Sequence, residues 1–331
     1  MAGTATPNLG VRSVHQNVPL TQMSVGYHPT GLVAEQVFPV IPVKNENDSY
    51  YKWDKGQAFR LDRSDGYSTL RPDKSRPKAL QFGASLDSYI AEEFSLEMGI
   101  SDRELANQDS ALNLEVSRLR RVQDLVLLDQ ELRVATVCLT TANNAGSLTL
   151  AGNNQWNDVN FQSMQESQHS TIKAEIDAGT EAVRIATGGL IPNTIVIPRE
   201  VAVVMYNDTG LVDLVKYNTN DPQRSLLSNN LLPPELWGMR VLCPTGLVDL
   251  TNEGEASNNQ SVWGKNVWIG YVNPNPGLDS LTYGMIFRAR PWQVYQFRDD
   301  FTRQTIYQPS IVQAEKLVAL DCGYVLKSVI A

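Results

Sequence analysis

Between Asp109 and Leu139 apolar side chains recur at spacings of three and four: Leu112, Val116, Leu119, Val122 and Val126, with Leu125, Leu128, Leu132, Ala135 and Leu139 continuing on a neighbouring face. That period marks one long amphipathic helix. About thirty residues at 1.5 Å each reach roughly 45 Å, longer than a small domain is wide. Whatever this chain becomes must be built along that rod. Just upstream, Ser101 followed by Glu104 matches a capping box and predicts a separate short helix.

Downstream, Ile172, Ile176, Gly179, Val183 and Ala186 share the face of a second helix that Gly188 ends. Thr194–Ile197 reads as a short buried strand, and Pro198 opens a helix carrying Val201, Val204 and Met205. Leu211, Val212, Leu214 and Val215 indicate one more short helix. From Arg240 the pattern turns to strands: Arg240–Cys243, Val267–Val272, Thr282–Arg290, Gln293–Phe297, and a closing hairpin of Leu317–Leu320 with Tyr324–Ile330. Helices followed by strands, without strict alternation, give an α+β fold.

The head of the chain is different. Residues 1–48 contain five prolines and no period, so this arm buries too little of itself to be ordered alone. Its apolar strip, with Phe38 and Ile41, is the expected docking element. From Tyr50 to Ile90 aromatic residues stand among charges, with turn signals at Asp65-Gly66, Pro72 and Pro77, as in a projecting hairpin. Lys52–Lys78 holds eight basic residues against four acidic ones. Residues 87–115 then carry eight acidic residues and one base. An isolated two-stranded ribbon is marginal in water, so Tyr51, Trp53, Phe59 and Tyr67 call for a partner surface. Arg60, Arg63, Arg71, Lys74, Arg76 and Lys78 are the expected cationic contacts, and Glu92, Glu93 and Glu97 their acidic counterparts on another subunit.

Several function classes lack their residues. Only His15, His28 and His169 are available, which leaves a His-based triad or a zinc site without members. Cys138, Cys243 and Cys322 are too scattered for a disulfide framework or redox pair, consistent with synthesis in a reducing cytosol. No signal-peptide run opens the chain, and no apolar run approaches the roughly 20 residues that cross a bilayer. With 28 basic and 36 acidic residues, the net charge of −8 opposes adhesion to nucleic acid. The expectation is a protein without enzymatic activity, cofactor, metal or membrane.

The order of these parts, with the arm-to-loop segment AEQVFPVIPVKNENDSYYKWDKG and the ending CGYVLKSVIA, resembles the major capsid proteins of tailed bacteriophages. The resemblance spans nearly the whole chain. It implies an N-terminal arm (1–48), an extended loop (49–90), a peripheral domain on a spine helix (91–140), an axial domain (141–281), peripheral strands (282–310) and C-terminal strands (311–331). It further implies self-assembly into hexamers and pentamers of an icosahedral shell around double-stranded DNA held without sequence-specific binding. Portal, scaffolding and cementing proteins would be partners, and the virion the final location after assembly in host cytoplasm. Lys55, Lys74 and Lys78 lie where some members join Lys to Asn, but residue type alone does not support that bond here. A host nanocompartment shell of the same fold and a soluble enzyme are the alternative readings.

Overall fold

The computed structural model describes residues 15–16, 18–25, 31–52, 71, 73–76, 85–107, 113–158, 172–207, 232–252, 254–277 and 280–331. The expected helix at 211–215, the start of the long helix at 109–112, and the loop residues Trp53, Phe59, Arg60, Arg63, Tyr67 and Lys78 lie outside them.

The spine helix runs from Leu114 to Leu139, 26 residues or about 39 Å. Asn113 caps its start, its Oδ1 accepting from the Val116 amide at 3.2 Å. At the far end the Asn144 side-chain amide donates to the carbonyls of Cys138 and Thr140, both at 2.8 Å, satisfying acceptors that the helix leaves open. The capping box is present: the Ser101 hydroxyl accepts from the Glu104 amide while Glu104 reaches back to the Ser101 amide. Glu104 also takes the Arg118 guanidinium at 2.6 Å, which fastens the short helix Asp102–Ala106 to the spine. These donors hold the Glu104 carboxyl down at about 2.

Two six-stranded sheets pack around this helix. The first is organised on one antiparallel ribbon, Gly284–Asp299 with Gln304–Leu317. Glu92–Ser95 and Met98–Ser101 pair with its second strand, and the arm strand Val40–Pro42 runs parallel to its first. Local pattern splits 284–299 in two and leaves 304–316 unassigned. In the structure the Pro291 region is absorbed by register shifts between Arg288 and Gln293, because a missing N–H can be accommodated at a bulge without ending the strand.

The second sheet has the order Gly146–Thr149, Gly323–Lys327, Val267–Gly270, Thr194–Val196, Met239–Leu242 and Glu235–Leu236. The expected closing hairpin does not form. Leu317 ends the ribbon, residues 320–322 make a 3-10 turn, and Gly323–Lys327 enters the second sheet between 146–149 and 267–270. The physical reason is burial on both faces: Tyr324, Val325 and Leu326 are all covered, which an edge hairpin could not provide. The sheet of the 141–281 region is therefore completed by the end of the chain. The helices Ile172–Thr187 and Arg199–Tyr206 contribute Ile176, Val183, Val201 and Met205 to the core that also holds Ile195, Ile269 and Leu326.

A second core joins the layers. Val134, Ala135 and Cys138 of the spine meet Trp263, Trp268, Tyr283, Val325 and the arm's Val37 and Phe38. Trp268 and Phe38 approach Tyr283 at centroid distances of 4.8 and 5.8 Å. Gly284 is required here, because a Cβ on it would lie 2.5 Å from the ring of Phe38, which is itself fully enclosed. Gly284→Ala is expected to cost about 1–3 kcal/mol through overpacking, read as a lowered urea midpoint at unchanged slope.

Candidate inter-subunit surface

The root of the expected loop is the antiparallel pair Asn47–Lys52 and Ser85–Ile90, in which Tyr51 faces Leu86 and Asp48 faces Tyr89. Alternation divides its side chains between two faces. One face belongs to this subunit. Tyr89 stacks on Phe287 at 4.4 Å, Tyr50 tilts against the same ring at 5.2 Å, and the Tyr50 hydroxyl donates to the Leu317 carbonyl at 3.1 Å. Burial and the nearby Asp87 carboxylate push the Tyr50 phenol well up. The other face presents Tyr51 at 53%, Leu86 at 63% and Ile90 at 63% exposure. This face is thus an exposed apolar row on a ribbon whose opposite face is anchored in its own subunit.

Tyr51, an expected contact residue, is exposed; Leu86 and Ile90 share its face, and their period of two with Ser88 is the sequence signal for that. Phe38 needs correction. It is fully buried in this subunit's own core against Gly284 and Tyr283, because the strand that follows it pairs with Ile286–Arg288 and draws the strip inward. Ile41 is half-buried on that strand, opposite Phe287. The arm strip thus docks on its own body.

Of the cations, Arg71, Lys74 and Arg76 are exposed on a short turn, where the Arg71 Nε donates to the Ser75 carbonyl at 2.7 Å and Lys74 takes a left-handed φ of 63°. The acidic stretch is partly neutralised at home. Asp102 pairs with Arg298 at 2.7 Å, which lowers its carboxyl, and Glu104 pairs with Arg118. Glu92, Glu93 and Glu97 remain exposed, with Glu93 accepting from the Ser310 hydroxyl. Among the described residues these three make no ion pair.

A less expected feature lies where the arm crosses the spine. Glu131, fully buried, accepts from the amides of Val33 and Ala34 at 2.9 and 2.6 Å and from the Trp263 indole N–H at 2.6 Å. Desolvation raises its carboxyl above the ordinary range. Beside it Gln130, 1% exposed, has neither amide atom hydrogen-bonded among the described residues. Both border a cavity of about 300 Å³ lined also by Leu32, Ala34, Glu35 and Leu127. Polar residues inside an otherwise apolar helical face are the signal for this junction.

Among the described residues, no group of three His, Cys, Asp or Glu side chains is placed to hold a metal ion. No helix among them is long and apolar enough to cross a membrane.

No protein-family model matches the chain. A curated relative, the major capsid protein of Burkholderia phage BcepMu, is 23% identical over 315 residues, covering 94% of this chain and 95% of its own length. A crystal structure of a phage-related protein from Bordetella bronchiseptica is similar at a TM-score of 0.69 and 22% identity, over 96% of this chain and 98% of that one. The capsid structure of Cyanophage P-SCSP1u is similar at a TM-score of 0.58 and 10% identity, over 98% and 95%.

Proposed function

We propose that the chain is a phage major capsid protein, the repeating subunit of an icosahedral head. Its fold is that of phage capsid subunits, and the observation that carries the function is the end-to-end sequence match to a major capsid protein. The fold alone would suit any shell, a host compartment included; the sequence relative is what favours the phage.

In this reading the subunits form hexamers and pentamers around double-stranded DNA. The outer face of the ribbon root, with Tyr51, Leu86 and Ile90, lies on an adjacent subunit and supplies the apolar part of the contact. The loop's Lys and Arg side chains mainly set register and assembly rate against Glu92, Glu93 and Glu97 of that neighbour, since rim charges act more on specificity than on affinity. The net charge of −8 keeps the lining from gripping a polyanionic cargo. A portal, a scaffold and a cementing protein complete the proposed assembly, which takes place in the host cytoplasm before the subunit reaches the virion.

Negative-stain microscopy of the protein expressed alone tests the shell itself. For the electrostatic part, Arg71, Lys74, Arg76 and Lys78 are changed together to Glu and particle formation is followed by light scattering. The expected result is an assembly rate at least tenfold lower at about 50 mM salt, with the deficit narrowing as salt screens the surface charges. Unchanged yield and unchanged salt dependence would remove this part of the mechanism.

A further inference from the structure

We infer that the cavity between the arm and the spine helix is a binding site for a basic side chain from a second copy of the chain, delivered by the turn that carries Arg71, Lys74 and Arg76. The choice of a second copy rests on the shell reading above.

The charge of the site is one-sided. Among the described residues its lining includes two carboxylates, Glu35 and Glu131, and no base. Arg288 engages Glu35 at 2.6 Å. Glu131 has three N–H donors but, among the described residues, no cation. Hydrogen bonds offset part of the cost of burying an ionised carboxylate; a counter-charge is what the arrangement still lacks.

Gln130 supplies the second observation. A buried amide ordinarily finds partners for both its oxygen and its nitrogen, and among the described residues this one has neither. A guanidinium entering the cavity donates to Gln130 Oε1, and a backbone carbonyl of the same incoming turn accepts from Nε2. The apolar walls given by Leu32, Ala34 and Leu127 suit the methylene stem behind the charged head.

On the donating side, Arg71 is committed to its own turn through Ser75, while Lys74 and Arg76 are exposed. Arginine fits better than lysine, because its planar fork can address an amide oxygen while its charge remains beside a carboxylate. Arg76 is therefore the preferred ligand and Lys74 the lesser one.

Paired cysteines test the contact. Gln36 borders the same cavity and is exposed, and the native cysteines Cys138, Cys243 and Cys322 are all buried. Particles of the Gln36→Cys, Arg76→Cys chain are oxidised and run on a denaturing, non-reducing gel. A ladder of covalent dimers and higher species is expected, absent from either single variant. Particles that form without the ladder, or that yield only an intrachain bond, overturn the site and leave the shell reading standing. A wild-type chain that forms no particles removes the shell reading and this site with it.

Gln130→Leu gives an independent measurement if the paired variant does not assemble. Without a ligand, removing an orphaned amide stabilises the dissociated subunit, seen as a higher melting temperature. With the ligand, the same change speeds particle dissociation about tenfold, and the increment disappears in an Arg76→Gln background. Slower or unchanged dissociation overturns the inference.

Discussion

Glu131→Ala is expected to destabilise the subunit by about 3–5 kcal/mol, because it strands three buried donors at once at roughly 1–3 kcal/mol each, part of which the adjoining cavity relieves by admitting water. Among the described residues the amides of Val33 and Ala34 and the indole N–H of Trp263 have no other acceptor, and the carboxylate that receives them is fully enclosed. Native-state hydrogen exchange is the direct measurement. Protection at Val33 and Ala34 should fall far more than protection in the ribbon core, since the arm opens locally before the body does. Equal protection in variant and wild type would show that the arm is held by its strand pairing with Ile286–Arg288 and that the carboxylate adds nothing.

The pH dependence of this group has an unusual sign. Burial raises its folded-state pKa above the unfolded value, so the folded state binds the proton more tightly. Its contribution to stability is therefore greatest below the unfolded pKa and declines as pH rises through the folded one. Glu131→Gln removes that slope. Between the ordinary glutamate range and the raised folded value, the stability difference between wild type and Glu131→Gln should shift toward wild type on acidification. Glu104 behaves oppositely: with its carboxyl held at about 2, its contribution is present above the ordinary range and is lost as pH falls through about 2.

The parts of this fold that could be read from sequence are those governed by local rules. The Ser101–Glu104 box, the spine helix, the Gly188 stop and the buried strand at Thr194 each depend on residues within a turn or two of one another, and each is present. The errors arise where distant strands decide. Tyr324–Leu326 looked like half of a hairpin, yet its placement between 146–149 and 267–270 is set by partners far away in the chain. Phe38 looked like an intermolecular contact because nothing near it in sequence could cover it; Tyr283 and Gly284 do so across about 245 residues of chain. The ribbon root shows the same division within one element. Its exposed Tyr51 was legible, while the anchoring of Tyr50 and Tyr89 on Phe287, which turns Leu86 and Ile90 outward, was not.

That division yields the largest expected effect on assembly. Changing Tyr51, Leu86 and Ile90 together to Ser should lower the subunit's unfolding free energy by no more than about 0.5 kcal/mol per site, as expected for exposed positions outside its core. Particle formation should fail. A fully covered side chain of this size contributes about 1.5–3 kcal/mol, and a shell repeats the loss at every subunit contact. Sedimentation and light scattering separate the outcomes: a folded, non-assembling subunit is expected, with single substitutions graded between it and wild type. A loss of several kcal/mol of unfolding free energy, read from urea titration, would mean that this face packs on its own subunit. Particles forming at wild-type yield and concentration dependence would show that the outer face of the ribbon plays no part in holding neighbours, leaving the loop beyond it and the acidic edge at Glu92–Glu97 to do so. The measurement thus distinguishes burial from charge as the source of cohesion, because the triple substitution alters no charged residue.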